Sequence, residues 1–228
     1  MSDTALAKPD EYAIAAAGAD VGAMLERNLG GEKLSVFDLR RVKVPVGGSM
    51  TWIVPGLHGE EAMKEIVGVI VFHKNTRAYW KERIEDSSGS RPPDCWSDDG
   101  LHGVGVMANE IEDGLCEKCP LGNFGGACSP SRQIFIMQKD DRLPLLIIVP
   151  RGSLKTAKAY IARLINMGIN YENCVTRIGL KKEKSVDGFD YAQMTFDTVD
   201  VMTPDTAKTF SAIRDSLEPK LKRVGATG

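Results

Sequence analysis

The sequence lacks any apolar run that approaches the ~18–20 residues needed to span a bilayer. Its longest apolar cluster, residues 143–150, reads LPLLIIVP, which is far too short and has β-branched residues at its centre. The first residues, MSDTALAKPDEY, lack the basic-then-apolar order of a secretory signal. We therefore expect a cytoplasmic protein with no membrane partner.

An excess of positive charge is also missing. The chain has 29 Lys and Arg residues against 31 Asp and Glu residues, which gives a formal net charge of −2. Because proteins contact nucleic-acid phosphates mainly through Lys and Arg, this balance argues against a uniformly basic nucleic-acid binder. Only a local concentration of positive charge is compatible with such a function.

Motifs of the common enzyme classes are absent as well. The sequence has no G-x-S-x-G, P-loop, H-E-x-x-H or dinucleotide fingerprint, and its three histidines are scattered. The pairs Asp98-Asp99 and Asp140-Asp141 are consecutive residues in predicted turns, and such pairs rarely converge on one ion. We therefore predict that the protein is not an enzyme. A zinc-containing nuclease would need convergent carboxylates that the sequence does not identify.

Five cysteines are present, and an odd number in a reducing compartment argues against a disulfide framework. From residue 87 to about 130, Gly, Pro, Asp and Cys dominate and periodicity is lost, so this long loop needs something to hold it. Cys116-x2-Cys119 is a pair of thiolates that can face one ion across a turn. We predict a structural Zn²⁺ site, whose binding stabilises the loop, with four ligands: Cys95, Cys116, Cys119 and Cys128.

Other interpretations of these cysteines remain open. A redox C-x-x-C pair is typically followed by a helix, which Pro120 and Gly122 disfavour here. His102 could replace one cysteine as a zinc ligand. The remaining cysteine, Cys174, alternates with apolar residues on a predicted strand, so we expect a buried small hydrophobic side chain.

Hydrophobic patterning predicts about six strands and two main helices. Residues 64–74 are rich in Val and Ile and predict a strand, and Asn75-Thr76 predicts a turn before a return strand at 77–83. Ser153 is a candidate N-cap for a helix that extends to residue 167, and a final helix is predicted from 204 to about 222.

This content favours a mainly β protein with helices, in which an OB-like β-barrel carries the loop-rich insertion; an α+β sandwich would have similar content. The predicted organisation has three parts: residues 1–33 as a flexible N-terminal arm or short helix, residues 34–200 as a single OB-like domain with the zinc-binding insertion at about 87–131, and residues 201–228 as a C-terminal helix and tail.

Four short stretches combine positive charge or aromatic rings with predicted strands: 40–43, 73–81, 177–184 and 189–191. Cations that follow phosphates and rings that stack on bases, at ~1–3 kcal/mol each, are typical of sequence-independent single-strand binding. A lysine run in a hairpin loop is also typical of an ordinary solvated surface. The predicted contact residues are Arg77, Tyr79, Trp80, Arg177, Lys181 and Lys182.

Several segments between residues 35 and 200 resemble a family of uncharacterised phage and mobile-element proteins. They include FDLRRVKVPVGGSMTWIVP at 37–55, GVIVFHKNTRAYW at 68–80, PPDCWSDDG at 92–100 and CEKCPLGNFGG at 116–126. The family is similar to phage zinc-containing single-stranded DNA-binding proteins of the OB type. The resemblance implies binding of single-stranded DNA in phage or mobile-element replication or recombination, in the host cytoplasm, with replication or recombination proteins as further partners.

An alternative function is a zinc-stabilised protein-interaction adaptor that regulates a host or phage enzyme. The apolar residues of the final helix support it, because they could pack on their own domain, on a second copy in a homo-oligomer, or on a partner. They are Phe210, Ile213, Leu217 and Leu221. RNA as a ligand is also left open.

Overall fold

The computed structural model describes residues 21–82, 92–123, 125–139 and 141–222. Most of the predicted N-terminal arm, part of the predicted insertion, residue 140 and the end of the predicted tail therefore lie outside the described residues. Within these ranges the helices are α1 (Val21–Leu29), α2 (Val106–Asn109), α3 (Leu154–Asn166) and α4 (Pro204–Lys222). No helix of the described part is both long enough and apolar enough to cross a membrane.

The described strands are β1 (Arg41–Lys43), β2 (Trp52–Gly56), β3 (Gly59–Met63), β4 (Ile66–Tyr79), β5 (Cys95–Ser97), β6 (Val104–Gly105), β7 (Ser129–Met137), β8 (Leu145–Val149), β9 (Cys174–Lys184) and β10 (Asp190–Val201). Three of the described strands are long, namely β4, β9 and β10, and the others have two to nine residues. The described residues form two compact units: unit 1 consists of those up to 73 and from 134 onward, and unit 2 of residues 74–133.

Unit 1 is built on a sheet in the order β1-β8-β7-β4-β9-β10. Strand β1 is parallel to β8, whereas β9 and β10 form a long antiparallel hairpin. The first three residues of β4 pair with β9. At Gly68 of β4 a Cβ atom would lie 2.3 Å from the carbonyl oxygen of Met137, so only glycine allows this close approach to β7.

Side chains of this sheet are buried on both faces, because each strand alternates between two apolar clusters. In β7, Ile134 and Ile136 belong to the cluster that α3 covers, whereas Phe135 and Met137 belong to the cluster that α4 covers. The α3 cluster includes Tyr160, and the α4 cluster is completed by Phe210, Leu217 and Leu221. The sheet is thus the middle layer between helices.

A mainly β fold with helices is confirmed, as is a helix that begins at Pro204. The expected closed barrel is not found among the described strands, whose order in unit 1 is open and ends at β1 and β10. The physical reason is the second apolar face: a barrel of this size needs one buried face, and here α4 and α3 cover one face each. Residues 1–33 were predicted to be a flexible arm or a short helix, and within them Val21–Leu29 forms a helix.

The turn predicted at Asn75-Thr76 is wrong, since β4 continues through both residues to Tyr79. Their side chains bond to β7 instead of closing a turn. Nε of Arg132 donates to Oδ1 of Asn75 at 3.0 Å, and the hydroxyls of Thr76 and Ser131 lie 2.8 Å apart. Polar residues that favour turns in isolation are held extended here by a neighbouring strand.

Unit 2 contains the described part of the predicted insertion. The end of β4 pairs antiparallel with β5, and β5 pairs with β6, so that Tyr79 lies opposite Cys95 and Cys95 opposite Gly105. Gly105 has a φ of 120°, and a Cβ there would lie 2.4 Å from the carbonyl oxygen of Asp94. The short helix α2 and 3₁₀ turns at Glu112–Gly114 and Pro120–Gly122 complete the described part of this unit.

Candidate metal centre and nucleic-acid interface

All four predicted zinc ligands line one small cavity of unit 2. The cavity has a volume of about 20 Å³, and its wall also includes Arg77 and the apolar side chains of Met107, Ile111, Leu115 and Leu121. A cavity of ~10–15 Å³ holds one water molecule, so the space suits a single small ion. Residues that are up to 33 positions apart in the sequence, from Cys95 to Cys128, are thereby brought together.

Backbone hydrogen bonds fix the segments that carry these cysteines. The N–H of Cys116 donates to the carbonyl of Leu101 at 2.7 Å, and the N–H of Cys128 donates to Leu121 at 3.0 Å. Within the C-x-x-C turn, the N–H of Cys119 donates to the carbonyl of Cys116 at 3.3 Å. The irregular segment is therefore held by contacts with itself, although it has little regular structure.

Burial and neighbouring thiols raise the pKa of two of the four cysteines. Burial raises the pKa of Cys95, and the neighbouring thiols of Cys128, Cys116 and Cys119 raise it further, while a hydrogen bond with the Ala108 backbone opposes the shift. Burial also raises the pKa of Cys128, against which the positive charge of Arg77 acts. Ionisation of Cys95 and Cys128 is thus disfavoured in the absence of a cation, and a set of four thiols is one that zinc binds in its deprotonated form.

As their side chains stand, no group of three or more Cys, His, Asp or Glu residues in the described ranges meets the arrangement of a metal site. The four thiols share a cavity wall, and coordination would require them to turn toward a common centre. The donor type of the four residues and their shared cavity suit Zn²⁺, whereas the arrangement of their side chains does not form a metal site.

His102, the alternative ligand, does not belong to the described wall of the cavity. Its Nδ1 lies 2.9 Å from Oδ2 of Asp99, and its side chain is 60% exposed. Burial alone would raise the pKa of Asp99, but hydrogen bonds from the backbone and ring of His102, the backbone of Leu101 and the hydroxyl of Ser97 hold it well below its usual range. His102 thus caps a turn with Asp99.

The fifth cysteine lies in unit 1, as expected for a buried small side chain. Cys174 is fully buried, and its sulfur lies 3.5 Å from the hydroxyl of Tyr160. That hydroxyl also lies 2.8 Å from Oγ1 of Thr176. Burial raises the pKa of Tyr160 to about 12.

The six predicted DNA contacts divide between the units. Arg77 and Tyr79 line the thiol cavity of unit 2, and the half-buried Trp80 follows β4. In unit 1 each predicted cation lies beside a carboxylate: Nε of Arg177 is 3.2 Å from Glu65, Nζ of Lys181 is 2.7 Å from Glu183, and Nζ of Lys182 is 2.6 Å from Asp190.

Unit 1 also has a groove of about 490 Å³ that sequence reasoning only partly anticipated. Its wall includes Lys43, Val46, Gly152 and Tyr191. Val46 is 90% exposed, and a Cβ at Gly152 would lie 3.4 Å from the ring of Tyr191. Lys43 and Tyr191 belong to two of the basic and aromatic stretches, but nothing in their spacing showed that β1 and β10 bring them to one groove.

The tip of the β9–β10 hairpin carries two exposed apolar side chains. Phe189 is 74% exposed and Val186 is fully exposed. The N–H of Ser185 donates to the carbonyl of Phe189 at 2.8 Å, and the hydroxyl of Ser185 accepts the N–H of Phe189 at 3.0 Å. The tip is thus a closed turn that presents an exposed ring at the end of the hairpin.

No protein-family model matches this chain, and neither a curated protein nor a solved structure matches it.

Proposed function

We propose that the protein binds single-stranded DNA without sequence preference, through the groove of unit 1 and the adjoining β9–β10 hairpin. The observation that carries the proposal is the convergence of Lys43 and Tyr191 on one groove. A cation and a ring at one concave surface, with a glycine backbone beside them, can hold a phosphate and stack a base together. The ligand would lie in the groove lined by residues of the two end strands, β1 and β10, and along the hairpin, not in a closed barrel.

The ion pairs on the hairpin do not oppose this function. The side chain of Lys182 is 59% exposed and that of Lys181 is 48% exposed. Exposed ion pairs contribute only ~0–1 kcal/mol, so a phosphate can take the place of the carboxylate at little cost.

We also propose that unit 2 binds one structural Zn²⁺ through Cys95, Cys116, Cys119 and Cys128. Support comes from the single small cavity that all four thiols line. Zinc would supply folding free energy to a segment with few regular hydrogen-bonded elements. A role in phage or mobile-element DNA replication or recombination, which the family resemblance implies, completes the proposal.

The adaptor alternative stays a second proposal: the net charge of −2 still motivates it, whereas the apolar residues of the final helix support it less. Phe210 and Leu221 of α4 are fully buried and Leu217 is 5% exposed, all within the core of unit 1. This apolar face is therefore not presented to a second protein.

A fluorescence-anisotropy titration with an unstructured labelled oligonucleotide at two salt concentrations tests the DNA proposal. We expect binding that weakens as salt rises, and at least tenfold weaker binding in Lys43→Ala and Tyr191→Ala. Lys208→Ala is the matched control, because Lys208 is an exposed cation of α4 outside the groove. Absence of binding at low salt, or equal effects of all three substitutions, would overturn the proposal.

A further inference from the structure

Arg77 connects the segments that carry the four cysteines. Its Nε donates to the carbonyl of Gly100 at 3.2 Å, and its Nη1 donates to the carbonyl of Gly122 at 3.2 Å. Gly100 lies in the turn that follows β5, and Gly122 lies in the 3₁₀ turn that follows Cys119. The guanidinium also hydrogen-bonds to the Cys128 thiol. One side chain of β4 therefore contacts all three cysteine-bearing segments.

The backbone at Gly122 lies close to this guanidinium and to the carbonyl of Cys116. A Cβ at Gly122 would lie 3.1 Å from Nη1 of Arg77 and 2.8 Å from the carbonyl oxygen of Cys116. A side chain at Gly122 would therefore displace the backbone at Cys116 and crowd the guanidinium of Arg77. The half-buried Arg77 faces the thiol cavity and not an open cationic surface.

The chemistry of a four-thiolate zinc site explains why an arginine stands here. Four thiolates around Zn²⁺ leave a net charge of −2, and burial makes that charge costly unless a cation or hydrogen-bond donors lie close by. Arginine is always charged and has five N–H donors in a fixed fork, so it can bind two carbonyls and a thiolate at once. Lysine has one compact charge and cannot span the same three partners.

We infer that Arg77 is the positioning and charge-compensating residue of the thiol site, and not a DNA contact. The inference rests on the proposed zinc site, and it assigns to that site a residue that sequence reasoning placed on the DNA surface. Partners outside the ligand set that orient metal ligands typically change metal affinity ~10–100-fold when they are removed.

The test is competition for zinc between the full-length protein and a chromophoric chelator, with Arg77→Lys and Gly122→Ala as variants. Both are expected to bind zinc ~10–100-fold more weakly than the unsubstituted protein. Arg132→Lys is the matched control, because Arg132 bonds to Asn75 in the same unit but does not line the cavity. It should retain zinc affinity within twofold.

A second measurement distinguishes weaker zinc binding from poor folding of a variant. Hydrogen exchange in residues 95–128, followed against zinc concentration, should show protection restored in Arg77→Lys at ~10–100-fold more zinc. Oligonucleotide affinity at saturating zinc should be unchanged. The inference is overturned if Arg77→Lys keeps normal zinc affinity, if Arg132→Lys loses as much, or if DNA binding falls at saturating zinc. A zinc-free unsubstituted protein would instead refute the proposed metal site itself.

Discussion

Nζ of Lys182 lies 2.6 Å from Oδ2 of Asp190, between the two strands of the β9–β10 hairpin. Nζ of Lys181 and Oε1 of Glu183 form a similar pair at 2.7 Å on the same hairpin. The cations proposed to meet DNA thus have intramolecular counter-ions in the free protein. If DNA binds on this surface, a phosphate replaces a carboxylate beside each lysine.

Removal of a counter-ion should therefore strengthen DNA binding. In Asp190→Asn we expect about two- to fivefold tighter binding of a single-stranded oligonucleotide at low salt, because Lys182 no longer has a competing carboxylate. The dependence of log affinity on log salt should become steeper by ~0.7, the value for one more phosphate contact on a single strand. Anisotropy titrations at four salt concentrations measure both quantities.

Asp205→Asn is the matched control for this exchange, since Asp205 pairs with Lys208 at 3.1 Å on α4. It removes the same charge from the chain and should leave both quantities almost unchanged. An equal gain in the two variants would assign the effect to net charge alone.

The exposed ring of Phe189 is expected to stack on a base. Loss of one base–aromatic contact costs ~1–3 kcal/mol, so Phe189→Ala should bind the oligonucleotide about 5–150-fold more weakly, and Phe189→Trp should retain binding. Leu57→Ala removes a side chain that is 92% exposed at the β2–β3 turn and should have no effect. Unchanged affinity in Phe189→Ala would remove the hairpin tip from the interface.

Tyr160 provides a test of stability. Its hydroxyl lies among Thr176, Thr198 and Cys174 in the core between α3 and the sheet. Tyr160→Phe removes one hydrogen-bond partner from these groups, although Cys174 keeps its contacts with the carbonyl of Tyr171 and with Thr176, and should lower the free energy of unfolding by ~1–2 kcal/mol at pH 7. Urea unfolding measures this difference, and Tyr191→Phe, in the groove, should change it little.

The same residue predicts a pH dependence. Burial raises the pKa of Tyr160 to about 12, so the folded state holds a proton that the unfolded chain releases near pH 10. Stability from this group is complete below pH 10 and is lost as the pH rises toward 12. Between pH 9 and 11.5 the unfolding free energy of the unsubstituted protein should fall more steeply than that of Tyr160→Phe. Parallel curves would show that Tyr160 does not contribute.

Helices were the most predictable part of the fold. The final helix was expected at 204–222 and is found at Pro204–Lys222, because its apolar residues recur at helical spacing and meet one cluster. For α3 the extent was predictable but the cap was not. Ser153 has no capping hydrogen bond, and its hydroxyl instead accepts the N–H of Met194 at 3.0 Å, a contact over 41 residues. Local patterns do not encode such distant partners.

In the candidate sites, too, local patterns were predictable from the sequence and distant contacts were not. Residue type and spacing identified the four cysteines that line one cavity, because soft ligands in an irregular segment are a local signal. The position of Arg77 in that cavity depends on the pairing of β4 with β5, and the groove of Lys43 and Tyr191 depends on the order of strands in unit 1. Basic and aromatic residues marked four stretches, but their pattern did not show that Lys43 and Tyr191, from two of them, line one groove.

Removal of zinc is expected to unfold the cysteine-bearing segment while the sheet of unit 1 keeps its protection. The segment has few buried apolar residues, of which Ala108 is one, whereas the sheet of unit 1 is buried on both faces. The proposed Zn²⁺ would therefore add stability that the backbone hydrogen bonds of this segment do not supply. Hydrogen exchange before and after treatment with a chelator should show loss of protection at residues 95–128 and retention in β7, β8 and β9 within unit 1.

Two cysteine variants make this last prediction specific. Cys119→Ser removes one proposed ligand and should abolish stoichiometric zinc in the purified protein, as measured by elemental analysis, and should reproduce the exchange pattern of the chelated protein. Cys174→Ala removes a thiol from the core of unit 1 and should retain one zinc ion per chain, although a buried substitution of this size lowers stability by ~1 kcal/mol. If chelation leaves residues 95–128 protected, or if Cys119→Ser retains zinc, the segment is held by its own hydrogen bonds and packing and the four-thiolate site is refuted.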